Sequence, residues 1–318
     1  MKLNIKKLEI RESKTDLSKI IDPNSCPPLI IDKDREKIER VANSIKNARK
    51  NNNAIVFSFG AHLIKNGLSR ILIEIMKKGY VNHILANEAV AIHDWEFSYQ
   101  GKTEEDVKKY MSEGQFGLWD ETGKYLNKAI KFGSNIGCGY GESVGRMIFE
   151  EALENEIIHH PYKNYSVLGN AYKLKIPFSV SASIGHNIHH NHPDCDFSAV
   201  GNTSGIDYLK FVNTLRKLNR GVYISIGSAV MSPMVFEKAI SAAKNLEMQA
   251  GNNINEFDIF INDIQPGYWD WKKGEPPKDN PAYYLRFFKT FNRMGGNAEY
   301  IQLDNKEFLH NLYGFLKN

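Results

Sequence analysis

The most chemically versatile side chains crowd into one stretch, SIGHNIHHNHPDCD. There, four of the ten histidines, His186, His189, His190 and His192, fall within seven residues, beside Asp194, Cys195 and Asp196. Imidazole titrates near neutral pH and its ring nitrogens bind divalent metals, so such a loop can remove a proton or hold an ion. One reading makes His186, His190, His192 and Asp194 the ligands of a divalent metal that polarises a water in a hydrolase or lyase. The stretch has neither a helical HExxH nor a paired CxxC, and the competing reading is a polar wall that hydrogen-bonds a substrate. In that second reading His186 and His189, with His93 from an earlier loop, are the candidates for a catalytic base.

Further loops carry groups of interest. ANEAVAIHDWE (86–96) gathers Asn87, Glu88, His93 and Asp94, a proton carrier among acceptors for ribose or substrate hydroxyls, although Asp94 also suits a helix cap. SFGAHLIKNGL (58–68) offers Ser58, Gly60 and Ala61, and IGSAVMSP (226–233) offers Gly227 and Ser228. Small residues there let backbone N–H groups approach a phosphate, or simply close a tight turn. Gly139, Gly141 and Gly145 in GCGYGESVG lack a buried strand before them, which favours close helix packing over a pyrophosphate cradle. Tyr268, Trp269 and Trp271 sit among turn residues and suggest a lid or a subunit contact.

These loops gain meaning from the elements before them. Short, almost wholly apolar runs at 54–59, 83–86, 177–182, 222–226, 257–261 and 298–303 alternate with helical stretches at 63–78, 140–156, 204–218, 233–247, 281–294 and 305–316. Strands apolar on both faces, joined by helices, predict a doubly wound, mostly parallel Rossmann-like α/β sheet of about six strands. Ligands of such sheets bind beyond the carboxyl ends of the strands, where these loops lie. Residues 1–53 read as an arm followed by a covering helix over 32–50, whose Ile38, Val41, Ile45 and Ala48 make one stripe. Residues 54–318 read as a single domain with a helical insertion over about 97–165 that forms a cap or a subunit contact.

Composition narrows the function classes. Forty-one basic against 37 acidic residues give a net charge of +4, too small and too dispersed to argue for nucleic acid. No apolar run approaches the ~20 residues of a membrane span, and the start of the chain has no secretory pattern. Three scattered cysteines fit a reducing compartment, so the expected location is cytoplasmic.

From about residue 54 to 303 the chain resembles the deoxyhypusine synthase family. The likeness rests on SFGAHLIKNGLSRILIEIMKKGYVNHILANEAVAIHDWE, KIPFSVSASIGHNI and GVYISIGSAVMSPMVFEKAI. It implies a Rossmann-like fold, NAD as cofactor and a homo-oligomer, in the family a tetramer with active sites between subunits. The nucleotide-side contacts it implies are Ser58, Gly60 and Ala61, then Asn87, His93 and Asp94; Glu88, Gly185, Gly227 and Ser228 join the expected cofactor contacts from their places in the loops after the strands. Ser232 stands where the family's imine-forming lysine of GGGxxK would be. Ser183, Ile184 and Gly185 replace the family's Thr-Asp-Gly. The resemblance therefore implies an NAD-binding enzyme that oxidises, or oxidises and then transfers a group from, a small polar metabolite, without being a true deoxyhypusine synthase. The alternatives are the metal-dependent hydrolase or lyase and a catalytically silent binding or assembly paralogue.

Overall fold

The computed structural model describes residues 2–317, apart from the side chain of Trp271. Its centre is a parallel sheet of β1 (Ile55–Phe59), β2 (His83–Asn87), β3 (Phe178–Ser181), β4 (Val222–Ile226), β5 (Asp258–Asp263) and β6 (Asn297–Gln302). The spatial order is β3-β2-β1-β4-β5-β6, with Ser58 of β1 opposite Leu85 of β2 and Ser225 of β4. All six predicted strands are therefore present, and their order reverses direction between β1 and β4.

Seven helices matter for the argument: α1 (Asp32–Lys50), α2 (Glu88–Gln100), α3 (Asp120–Ile136), α4 (Tyr140–Glu150), α5 (Phe197–Leu215), α6 (Met231–Gln249) and α7 (Asn305–Lys317). Two apolar cores, one on each face of the sheet, seal it. One takes Val41 and Ile45 from the predicted stripe of α1, and the other takes Phe211 of α5 and Phe236 of α6. The helix expected over 63–78 is broken in two, His62–Lys65 and Ser69–Lys77, by Gly67 at φ +79°. The arm is stitched to the body by a two-stranded antiparallel ribbon of Ser13–Asp16 with Lys102–Glu105. Tyr268 is exposed, whereas the Trp269 indole N–H donates to the Gly274 carbonyl at 2.6 Å. Trp271, grouped with them in the sequence, has its side chain outside the described residues.

Helices α3 and α4 of the insertion pack on each other and on α5, and α4 also packs on the edge strand β3. The three glycines of GCGYGESVG make this possible. A Cβ on Gly139 would lie 1.8 Å from Asp207 Oδ1, on Gly141 1.9 Å from the Phe178 carbonyl, and on Gly145 2.6 Å from the Leu168 carbonyl. Their spacing serves contact between elements rather than a phosphate.

Asp207, inside α5, fastens this joint by accepting the N–H groups of Gly141 and Val180, each at 2.9 Å. Burial raises its carboxyl to about 7, although both N–H groups pull it the other way. A carboxyl that holds its proton more tightly when folded stabilises the protein below its unfolded value near 4, and that contribution is lost as pH rises through about 7. Asp207→Asn should therefore flatten the dependence of urea midpoint on pH over this window, by up to roughly 1.4 kcal/mol per pH unit. An unchanged slope would show that Asp207 does not titrate there.

Candidate functional site

Helix α2 follows β2 directly and is buried on nearly all sides, so its acidic side chains sit in the interior. Each buried carboxylate must be met by partners, and three solutions are visible. Asp94 accepts from the Ser166 hydroxyl at 2.5 Å and from the N–H groups of Val167 and Leu168 at 2.7 and 3.0 Å. It thereby caps the helix Val167–Lys173, and burial raises it to about 6 against those bonds. All its contacts lie within the fold, so the ribose contact expected of Asp94 has no support in its surroundings.

Glu96 meets the arm. Arg11 Nη1 and Nη2 each donate to it at 2.7 Å in a bidentate pair whose side chains are both 1% exposed. Thr103 Oγ1 donates to Glu96 Oε2 at 2.6 Å and Thr122 Oγ1 to Oε1 at 2.8 Å. Burial alone would raise this carboxyl, but the Arg11 guanidinium holds it below the usual range.

The Thr103 hydroxyl also stands 2.7 Å from His93 Nδ1. Its one proton is committed to Glu96, so the oxygen accepts and His93 must carry its proton on Nδ1. The Nε2 lone pair is then free. Burial pushes the imidazole down to about 4, against the pull of Glu96, so the ring is neutral at physiological pH with Nε2 as its acceptor. His93 lines a cavity of about 310 Å³, with Arg11, Lys65, Glu104, His186 and Asn187 among its other walls. Lys65 Nζ and Glu104 Oε1 pair across it at 3.1 Å.

Glu88, the first residue of α2, is fully buried. Its Oε2 accepts from the Ser183 N–H at 2.9 Å and the Asn187 amide at 2.6 Å, and its Oε1 lies 3.0 Å from His190 Nε2 and 3.4 Å from His189 Nε2. The Tyr140 hydroxyl reaches His189 Nε2 at 3.3 Å. Burial lowers the His189 imidazole in spite of Glu88. Glu88, expected among the cofactor contacts, is thus bonded to Ser183 and Asn187 on one oxygen and faces the two histidines with the other.

The four residues of the metal reading therefore do not converge. His190 joins Glu88 and His189, whereas His192 turns to Asp194 Oδ2 at 3.8 Å and Asp120 Oδ1 at 3.7 Å. His186 is exposed at the cavity. Among the described residues, Glu88, His189 and His190 are the group of metal-binding type whose ligand atoms gather within 4.8 Å.

The remaining predicted positions divide between crevice and scaffold. Gly60 and Gly227 face each other where the strand order reverses: a Cβ on Gly60 would stand 3.0 Å from the Gly227 carbonyl. Gly227 has φ +55°, and its own Cβ would lie 2.8 Å from the Asn305 side chain. Ala61 follows in the half-buried turn, and Ser58 is buried within β1. Asn87 caps α2 by accepting from the Val90 N–H at 3.3 Å, and Ser228 Oγ accepts from the Ser232 N–H, also at 3.3 Å. Gly185 is exposed at φ +85° and donates its N–H to His190 Nδ1 at 3.2 Å. Arg11, Glu96 and Thr103 were not singled out in the sequence. Glu96 had one local signal, its i+3 spacing from His93 on a helix; Arg11 and Thr103 had none.

Residues 39–115 match the family model described as arginine dihydrolase ArgZ-like, C-terminal, Rossmann fold. No curated protein matches the sequence. Among solved structures, apo ArgZ, an arginine dihydrolase from the ornithine–ammonia cycle in cyanobacteria, aligns with TM-score 0.52 at 16% identity, over 91% of this chain and 33% of its own. AgrE in a ternary complex with ornithine and NAD+ aligns with TM-score 0.51 at 14% identity, over 91% and 34%. A candidate deoxyhypusine synthase from Entamoeba histolytica aligns with TM-score 0.51 at 11% identity, over 90% and 89%. The chain thus spans about a third of the length of ArgZ and AgrE. It shares the Rossmann-like α/β fold of these proteins, and the stretch matched by the family model holds β1, β2 and the helix that presents Glu88, His93 and Glu96.

Proposed function

We propose that the protein is an NAD-binding enzyme that oxidises a small polar metabolite, with the dinucleotide in the crevice between β1 and β4 and the substrate in the cavity beside His93. The observation that carries this reading is the reversal of strand order at β1 and β4, with glycine on both sides of the gap. Gly60 and Gly227 bring two backbones together at this point, where a Cβ on Gly60 would stand 3.0 Å from the Gly227 carbonyl, and keep the loops after β1 and β4 bare of side chains where a parallel sheet receives a dinucleotide phosphate, which supports this choice of group. The presence of ornithine and NAD+ in AgrE, a protein of the same fold, supports the choice of cofactor and of a small polar substrate.

Bound NAD+ supplies a hydride acceptor. The chain's own contribution is a base: His93 Nε2 takes the substrate's hydroxyl or amine proton, while Thr103 and Glu96 hold the ring in the tautomer that allows it. His186 reaches the same cavity and is the second candidate. His189 sits deeper, against Glu88 and Tyr140. Imine transfer is not part of the proposal. Ser232 stands where the resemblance puts the lysine, fully buried with its hydroxyl 2.7 Å from that of Tyr223.

Isothermal titration with NAD+ and then NADH tests the nucleotide half directly. Micromolar binding by the wild type, lost in Gly60→Val with circular dichroism unchanged, is the expected result, because a Cβ there already stands 3.0 Å from the Gly227 carbonyl and a branched side chain would crowd the phosphate's approach. Absence of binding by either form to the wild type would sink the reading.

A further inference from the structure

We infer that Glu88, His189 and His190 form a site for one divalent ion of zinc type, held by one carboxylate and two imidazoles. The inference does not depend on the nucleotide reading. Glu88 comes from the start of α2 after β2, and the histidines come from the turn Ile188–Asn191 after β3, so the two loops meet at the carboxyl end of the sheet. The side chains are buried, with 0%, 0% and 2% exposed.

Geometry argues for an ion rather than for hydrogen bonds alone. Ligands at about 2.0–2.2 Å from a zinc ion, spread at tetrahedral to square angles, lie roughly 3.0–3.5 Å apart. The Glu88 Oε1 separations of 3.0 and 3.4 Å from the two Nε2 atoms fall in that range. Yet Glu88 Oε1 and His190 Nε2 make no aligned hydrogen bond although both are buried, and His189 Nδ1 is also unpartnered. Orphaned buried polar atoms of this kind are costly, and a cation between the three side chains would satisfy two of them at once. The Ser183 N–H and Asn187 amide hold Oε2 and so aim Oε1, as hydrogen-bonding neighbours of a metal ligand do.

Two contacts oppose loading. The Tyr140 hydroxyl stands 3.3 Å from His189 Nε2, the nitrogen that would bind the ion, and has to turn away from it. The Gly185 N–H points at His190 Nδ1, the nitrogen that must carry the proton when Nε2 binds a metal. Gly185 is exposed and has open space around it, so the ion would displace this bond by turning the peptide.

The test uses the full chain purified without a histidine tag, stripped with a chelator and titrated with Zn2+ and separately with Co2+. One tight equivalent of each is expected, with visible Co2+ absorption of a low-symmetry nitrogen and oxygen site and a higher thermal midpoint. Glu88→Gln and His190→Ala should each weaken binding by more than about 100-fold, beyond the loss expected for a neighbour of a ligand. His192→Ala and Asp194→Ala should leave it unchanged. No stoichiometric binding by the wild type would overturn the inference, as would equal loss in His192→Ala. If Glu88→Gln fails to fold, the wild-type titration with the His190, His192 and Asp194 variants decides the matter.

Discussion

Replacing His93 with Ala lowers turnover by about 10²–10⁴-fold, the usual contribution of a positioned base, while NAD affinity stays within about twofold. The expectation follows from the order of donors in the relay. Glu96 is an acceptor already held by Arg11, so the Thr103 hydroxyl must point its hydrogen there and receive the one from His93 Nδ1. Thr103→Val removes the relay but not the ring, and lets the wrong tautomer form; its loss should be smaller, about 10–100-fold. The assay is NADH fluorescence on a panel of small alcohols, amines and amino acids. A measurement free of any substrate complements it: nitrogen chemical shifts of His93 should report a protonated Nδ1 and a bare Nε2 from about pH 5 to pH 8, since burial holds the ring neutral down to about 4. Protonation on Nε2 would remove His93 as the base, and so would unchanged turnover of His93→Ala.

The parts of this arrangement that were legible in the sequence are those in which one local pattern has one structural answer. Six apolar runs between helices became six parallel strands because continuous Val, Ile and Phe runs are stable only when both faces are covered. Gly60 and Gly227 were placed at the crevice by their position after strands. The histidine loop was legible as chemistry but not as geometry. Four histidines in seven residues split three ways, His186 to the cavity, His189 and His190 to Glu88, and His192 to Asp120 and Asp194. A turn of four residues turns adjacent side chains in different directions, and no spacing rule resolves that. Asp94 shows the opposite difficulty. The density of polar groups around it suggested a ligand, yet it caps a helix more than seventy residues downstream. Arg11 and Thr103 were invisible because their partner, Glu96, is distant in sequence from one of them and across a turn from the other, and such pairings are written only in the tertiary fold.

Arg11→Ala is the substitution with the largest expected cost to stability. The guanidinium and the Glu96 carboxylate are both sealed from water, and removing one leaves an uncompensated buried charge beside His93 and Glu105, a loss of roughly 3–5 kcal/mol. Other anchors of the arm lie nearby, among them the bridge of Lys6 to Trp119, the buried Leu8 with its N–H donating to Glu121 Oε2 at 2.6 Å, the Glu12 N–H donating to the Tyr110 hydroxyl at 2.9 Å, and the ribbon of Ser13–Asp16, but none of them neutralises Glu96. Arg11→Lys should recover only part of the loss, because an ammonium cannot make both parallel bonds. The double change Arg11→Met, Glu96→Leu separates the two roles of the pair. An apolar pair of similar volume restores most of the stability, as replaced buried ion pairs commonly do. Thr103 then loses the acceptor that orients it, and turnover stays low. Urea midpoints and NADH production on the same four proteins read both quantities. If the double variant regains activity along with stability, the pair is a strut for the arm and Glu96 has no part in positioning His93; if Arg11→Ala unfolds at the wild-type midpoint, the buried pair contributes nothing that the ribbon does not already supply.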